Sequence, residues 1–295
     1  MPVESVKDML KKAIAGGYAI GYFEGWNLES TQAVIDAAEL TRSPIIIGFN
    51  GEFLSHSART VEERLELYAA MGKAAAESST VPCSLIFNEC AQDDWTRRAC
   101  ELGFNLVMPV DPNDDDDSYL RRAKNISEHA HNYDALVEVE LGKLASGLPD
   151  EADHKSSYTD PETAAHFVAE SGADLLAVSV GNMHIKLKGR QGLNFDLLAT
   201  LLKKIPVPLV LHGGTGIEDE ALKKAVEMGV AKVNYGTYIK QRYLTAIRES
   251  INNDFEDPYR LIGYGTDEDI TVIGRRAVRD AVLERIELLG CCGKA

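Results

Sequence analysis

Eight short, β-rich apolar runs recur from one end of the chain to the other, and between them lie segments whose apolar residues are spaced by three and four. The runs are AIGYF (19–23), PIIIGF (44–49), CSLIFN (83–88), NLVMPV (105–110), ALVEVEL (135–141), LLAVSV (175–180), PLVLHG (208–213) and AKVNYG (231–236). Helical spacing is clearest over Glu29–Thr41, Val61–Ser78, Asp93–Gly103 and Pro161–Gly172. Strands that are apolar along their whole length are buried on both faces, the condition of a parallel sheet covered by helices. Eight such units predict a closed (β/α)8 TIM barrel. An open doubly wound sheet is the competing arrangement, but no GxGxxG follows the first run, so the dinucleotide fingerprint is missing. At 295 residues the chain fits one barrel, and residues 1–295 are read as a single domain. The tail from Asn252 to Ala295 adds a long connection and a final helix.

Charge narrows the partners. With 46 Asp and Glu against 31 Lys and Arg the net charge is −15, which repels nucleic-acid backbones and anionic lipid over most of the surface. Neither nucleic acid nor a membrane is an expected partner, although a local pocket for a small anion is compatible with that balance. No stretch approaches the ~20 apolar residues of a membrane span, and MPVESVKDMLKKAIAGGYA lacks the pattern of a signal peptide. A cytoplasmic protein is expected. The five cysteines form no CxxC and read as reduced thiols without a catalytic role. The acidic run Asp114–Asp117 reads as a solvated helix start.

In a parallel barrel the reacting groups lie where strands end and loops begin. Polar residues at those ends are Asn88 and Glu89 after the third run, Glu138 and Glu140 in the fifth, and Asn182 and His184 after the sixth. His212 ends the seventh run and Asn234 lies in the eighth. Two histidines and two or three carboxylates converging on one mouth suit a borderline divalent cation such as Zn2+, Mn2+ or Fe2+. A lone histidine at a strand end is more often structural, and His56, His129, His131, His154 and His166, in loops or helices, keep that reading. LHGGTGIEDEAL passes from a strand through glycines into a helix, so the amides of Gly213, Gly214 and Thr215 and the helix start can face a phosphate. Asn234 and Thr237 belong to the neighbouring loop and can add donors to the same pocket.

At these residues the chain resembles the class II, metal-dependent fructose-bisphosphate and tagatose-bisphosphate aldolases over nearly its whole length. NLES (27–30), SPIII (43–47), VEVELG (137–142), YTDPE (158–162), GADLLAVSVGNMH (172–184), PLVLHGGTGI (208–217), KVNYGT (232–237) and the final GCCGKA look like successive family segments in family order. The resemblance implies that His184 and His212 are two of three zinc histidines and that Glu140 is the ELG glutamate beside the metal. It also implies that Gly213, Gly214, Thr215, Asn234 and Thr237 hold the substrate and its phosphate, with threonine in place of the usual serine at 215.

Departures from the family fall in the site itself. Where the family reads roughly HLDHG, this chain reads Ile86, Phe87, Asn88, Glu89, Cys90. Asn88 stands for the catalytic aspartate and Glu89 for the third zinc histidine. FNVNNLE becomes Phe23, Glu24, Gly25, Trp26, Asn27, Leu28, Glu29, which adds a carboxylate and an indole near the mouth. Ile185 replaces a glycine after His184, and KLASGLPDEAD replaces the glycine-rich acidic loop after ELG. An amide cannot take the proton of a substrate hydroxyl, so the catalytic work falls to Asn88 as a hydrogen-bonding group, Glu89 as base or ligand, and Glu140. The expected function is a metal-dependent aldolase-type lyase that cleaves a phosphorylated ketose or related hydroxy-ketone through a metal-stabilised enediolate, and is not an ordinary fructose-bisphosphate aldolase. A metal-dependent isomerase or epimerase, or a non-catalytic sugar-phosphate binding protein, are the alternatives. A homo-oligomer, dimer or tetramer, is expected.

Overall fold

The computed structural model describes residues 3–111, 113–142, 158–182, 192–251 and 257–295. The eight apolar runs become β1 (Ile20–Glu24), β2 (Ile45–Asn50), β3 (Cys83–Cys90), β4 (Leu106–Pro109), β5 (Leu136–Leu141), β6 (Leu175–Val178), β7 (Leu209–Leu211) and β8 (Lys232–Tyr235). All pairings are parallel, and β1 pairs with β8 as well as β2, which closes the barrel. The chain is a (β/α)8 TIM barrel. β1 to β4 and β6 to β8 are buried at every position, as near-continuous apolar composition requires, save for Glu89 on β3.

Helices α1 (Val6–Gly16), α2 (Leu28–Thr41), α3 (Gly51–Ser55), α4 (Leu65–Ser78), α5 (Asp93–Glu101), α6 (Asp116–His131), α7 (Pro161–Ser171), α8 (Phe195–Lys204), α9 (Asp219–Met228) and α10 (Thr237–Ser250) precede or follow the strands, and α11 (Pro258–Leu261) and α12 (Ile270–Leu288) form the tail. The long helix α12 packs against α2 and α10, so the tail belongs to the barrel's outer layer. Local chemistry sets the boundaries. In α2, Asn27 accepts from Ser30 N while Ser30 Oγ accepts from Asn27 N, a reciprocal cap. Asp115 caps α6 by accepting from Ser118 N at 2.7 Å, with Asp116 and Asp117 in the first turn, so the acidic run is a helix start. The helix expected from Val61 begins only at Leu65: Arg59 donates to Val61 O and pairs with Glu63, contacts that engage the preceding backbone outside the helix. No helix among the described residues is long and apolar enough to cross a membrane.

Candidate active site

At the C-terminal end of β3 the pairing with β4 shifts between Phe87 and Cys90. Glu89 lies in this irregularity with φ +52, a left-handed conformation that costs a non-glycine residue on the order of 1 kcal/mol and is held only where its surroundings demand it. The bulge sends the Glu89 carboxylate across the mouth. Its Oε1 lies 3.4 Å from His212 Nδ1, and its Oε2 accepts from the Asn50 amide at 2.6 Å. Asn88, the preceding residue, is 2 % exposed, and its Oδ1 has no hydrogen-bond partner among the described residues.

His212 follows β7 directly. Its Nε2 lies 2.9 Å from Glu138 Oε1, and Glu138 Oε2 accepts from Lys232 Nζ at 2.7 Å. Glu138 on β5 and Lys232 on β8 are both fully buried and meet across the barrel interior. Burial opposes ionisation of Glu138, but Lys232 and His212 outweigh it and hold the carboxyl below its ordinary range. Burial likewise opposes charging of His212, and the carboxylates of Glu140, Glu138 and Glu89 more than offset this and raise its pKa. Lys232 is shifted down, by burial first, with Glu138 opposing. With Nε2 committed to Glu138, Nδ1 is the nitrogen turned toward Glu89 and toward Glu140 Oε2, 3.5 Å away. Glu140 is fixed through its backbone, whose N–H donates to Tyr119 Oη at 3.0 Å.

Two donors on one tetrahedral cation, each about 2.0–2.2 Å from it, stand roughly 3.4 Å apart. The separations of His212 Nδ1 from Glu89 and Glu140 are of that size, and a histidine whose other nitrogen is held by a carboxylate is the usual form of a metal ligand. The chemistry of the donors therefore fits a divalent cation. Glu89 and Glu140 each face His212 without closing a three-donor set, and no group of three His, Cys, Asp or Glu among the described residues is arranged to hold a metal. His184, expected as a further ligand, lies outside the described residues, as do His154, Ile185 and the KLASGLPDEAD segment.

The glycine-rich turn after β7 differs from its expected form. Gly213 has φ +64, and Gly214–Gly216, with Thr215 at its centre, is a separate 3-10 turn closed by Gly216 N donating to Gly213 O. Helix α9 opens only at Asp219 and already carries Asp219 and Glu220 in its first turn, so its start is not available to an anion. The adjacent α10 opens at Thr237 immediately after β8 and has no acidic residue in its own first turn, though the Glu24 carboxylate from β1 fills the space beside its cap Gly236. Asn234, on β8, accepts from Lys232 Nζ at 2.6 Å, while its Nδ2 has no hydrogen-bond partner among the described residues. Asn88 thus offers a buried acceptor and Asn234 a buried donor, the kind of pair that a polar ligand satisfies.

Asn182 is a structural residue. Its Nδ2 donates to Val178 O and His212 O and its Oδ1 accepts from Val180 N, which braces the backbone behind His212. Three residues of the site were not singled out from sequence: Lys232, Asn50 and Lys240. Lys240 on α10 pairs with Glu24 at 2.5 Å. Burial raises the Glu24 carboxyl, Lys240 opposes the shift, and Glu89 adds to it.

A closed parallel barrel with a histidine, carboxylates and a glycine-rich loop gathered at the C-terminal mouth defines the class of (β/α)8 barrels that carry chemistry on their strand ends. The family model for class-II fructose-bisphosphate aldolase matches residues 4–294. A fructose-bisphosphate aldolase of Thermus caldophilus is 31% identical, covering 98% of each chain, and the uncharacterized protein YdjI of Escherichia coli K12 is 33% identical, covering 94% of each. The crystal structure of the YdjI aldolase from the same organism superposes with TM-score 0.83 at 31% identity over 99% of both chains. This chain belongs to the class-II fructose-bisphosphate aldolase family, whose chemistry is that of an aldolase-type lyase.

Proposed function

We propose that the protein is a metal-dependent aldolase acting on a phosphorylated ketose other than fructose bisphosphate, with Glu89 moving the proton that the family assigns to an aspartate. The observation that carries this reading is the position of the Glu89 carboxylate, held by Asn50 through one oxygen and turned toward His212 with the other. Elimination supports it. Glu138 is committed to His212 and Lys232, and Glu24 to Lys240. Glu140 matches the carboxylate beside the metal, and Asn88 cannot ionise. Among the described carboxylates at the mouth, Glu89 is left for general acid-base work.

His212 Nδ1, His184 and Glu140 would hold a divalent cation, zinc or a similar metal, which when bound supplies Lewis acidity toward a ketone carbonyl. Glu138 keeps His212 in the tautomer that presents Nδ1, and Lys232 keeps Glu138 ionised. Glu89 takes the proton of the substrate hydroxyl at the bond to be broken and returns it in the reverse direction, while Asn88 Oδ1 accepts from a neighbouring substrate hydroxyl. The amides of Gly213, Gly214 and Thr215 and the start of α10 at Thr237 receive the phosphate, with Asn234 donating to a substrate oxygen.

A second reading makes Glu89 a metal ligand, favoured by the 3.4 Å separation from His212 Nδ1. Metal analysis followed by condensation of dihydroxyacetone phosphate with a panel of aldehydes tests the function. Bound divalent metal and carbon–carbon bond formation are expected. Exchange of the ketone's α-proton without condensation would make the protein an isomerase or epimerase, and neither activity would leave a binding protein.

A further inference from the structure

Beside Glu89, between the ends of β1 and β2 and the first turns of α10, lies a cavity of about 280 Å3. That is the share of roughly nine waters, room for a small open-chain sugar fragment. Asn50 forms part of its wall and donates to Glu89, so the cavity adjoins the proposed proton-transfer group. On its other side Glu24 leads to the phosphate loop: a Cβ on Gly236 would lie 2.4 Å from Glu24 Oε2, so the glycine leaves the space that this carboxylate fills.

Among the described residues its charged lining consists of Glu24, Glu63, Arg59 and Lys240, two of each sign. Both cations are already used. Lys240 pairs with Glu24 and lies 4.2 Å from the centre of the Phe53 ring. Arg59 pairs with Glu63 and donates to the backbone oxygens of Phe53 and Val61. Trp26 and Phe53 add apolar wall. A phosphate carries about two negative charges, and among the described residues it would meet here two carboxylates and no cation that is not already paired.

Resting on the reading of the β7 and β8 loops as the phosphate site, we infer that this cavity receives the uncharged, hydroxylated far end of the substrate, so that the substrate is a ketose monophosphate, not a bisphosphate. Glu24 is the specificity-determining residue: it neutralises Lys240 and accepts hydroxyl hydrogens, and it turns away a second anion.

Calorimetric titration with dihydroxyacetone phosphate, fructose 1-phosphate and fructose 1,6-bisphosphate tests this. The unmodified protein should bind the monophosphate roughly tenfold or more tightly than the bisphosphate, because a second phosphate would give up its water beside cations that are already paired with carboxylates. Glu24→Gln leaves Lys240 unpaired and should shift that ratio about tenfold toward the bisphosphate, whereas Lys240→Met leaves Glu24 unpaired and should shift it the other way. Equal or tighter binding of the bisphosphate, or variants that shift the ratio alike or not at all, overturns the inference. Should dihydroxyacetone phosphate bind while the bisphosphate is preferred, only the cavity assignment falls. If none of the three binds, the phosphate site itself falls and takes the inference with it.

Discussion

Glu138 joins His212 Nε2 at 2.9 Å on one side and Lys232 Nζ at 2.7 Å on the other, a buried line of charge that runs from the barrel interior to the mouth. If its task is to fix the His212 ring for metal binding, Glu138→Gln should weaken divalent-metal affinity by about 10–100-fold, read by competition with a chelating dye. Lys232→Met strands the Glu138 charge and should cost about 3–5 kcal/mol in a urea melt.

His184→Ala combined with His212→Ala should abolish bound divalent metal while circular dichroism shows the barrel intact. Metal content equal to that of the unmodified protein would locate the site elsewhere.

Asn50 is assigned a positioning role toward Glu89. Asn50→Ala should lower kcat roughly tenfold, the worth of one hydrogen bond to a charged group, with KM less affected. Asn50→Asp should be worse, because it sets a second negative charge against Glu89.

Asp269 gives a pH dependence outside the site. Its carboxylate accepts from Thr271 Oγ1 at 2.6 Å and from the amides of Gly263, Gly265 and Thr271, and these bonds, led by the Thr271 hydroxyl, hold its pKa far below the ordinary carboxylate range. A depressed folded pKa adds stability that is present above the unfolded value and is lost as pH falls toward the folded one. Asp269→Ala should therefore destabilise by about 1–2 kcal/mol near neutrality. The gap from the unmodified protein should shrink from about pH 4 downward in urea melts.

The barrel was legible because each buried strand is an unbroken apolar run, and the observed strands fall within or beside the eight runs. His212, Glu138, Glu140 and Asn88 were legible as polar breaks in those runs. Lys232 escaped because a lysine opening a strand reads as a solvated end. Its signal was there in the period of two, which places Lys232 and Asn234 on one face of β8 as it places Glu138 and Glu140 on one face of β5. Asn50 was missed because the run was closed at Phe49, one residue early. The left-handed backbone of Glu89 has no mark in the sequence, since the surroundings and not the residue type impose it. Likewise, the acidic first turn of α9 could be read, but the 3-10 turn that separates it from the glycines could not.

Replacement of the family aspartate by Asn88 predicts weak activity toward fructose 1,6-bisphosphate. In a coupled assay its cleavage should fall below that of an ordinary class-II aldolase by about 10² or more, because the proton-moving carboxylate is now Glu89, one residue further along the chain, and a substrate placed for the family aspartate is out of line with it. Brisk cleavage would mean that the exchange at position 88 has little chemical consequence.

Glu89→Gln separates proton transfer from every other role of this side chain, since the amide keeps the shape and the hydrogen bonding but cannot ionise. Condensation of dihydroxyacetone phosphate with uncharged aldehydes should be followed in parallel with metal content. With Glu89 as the proton carrier, kcat should fall by about 10²–10⁴ with bound metal unchanged. Loss of metal together with activity would assign Glu89 to the metal instead, and full activity with full metal content would contradict both roles.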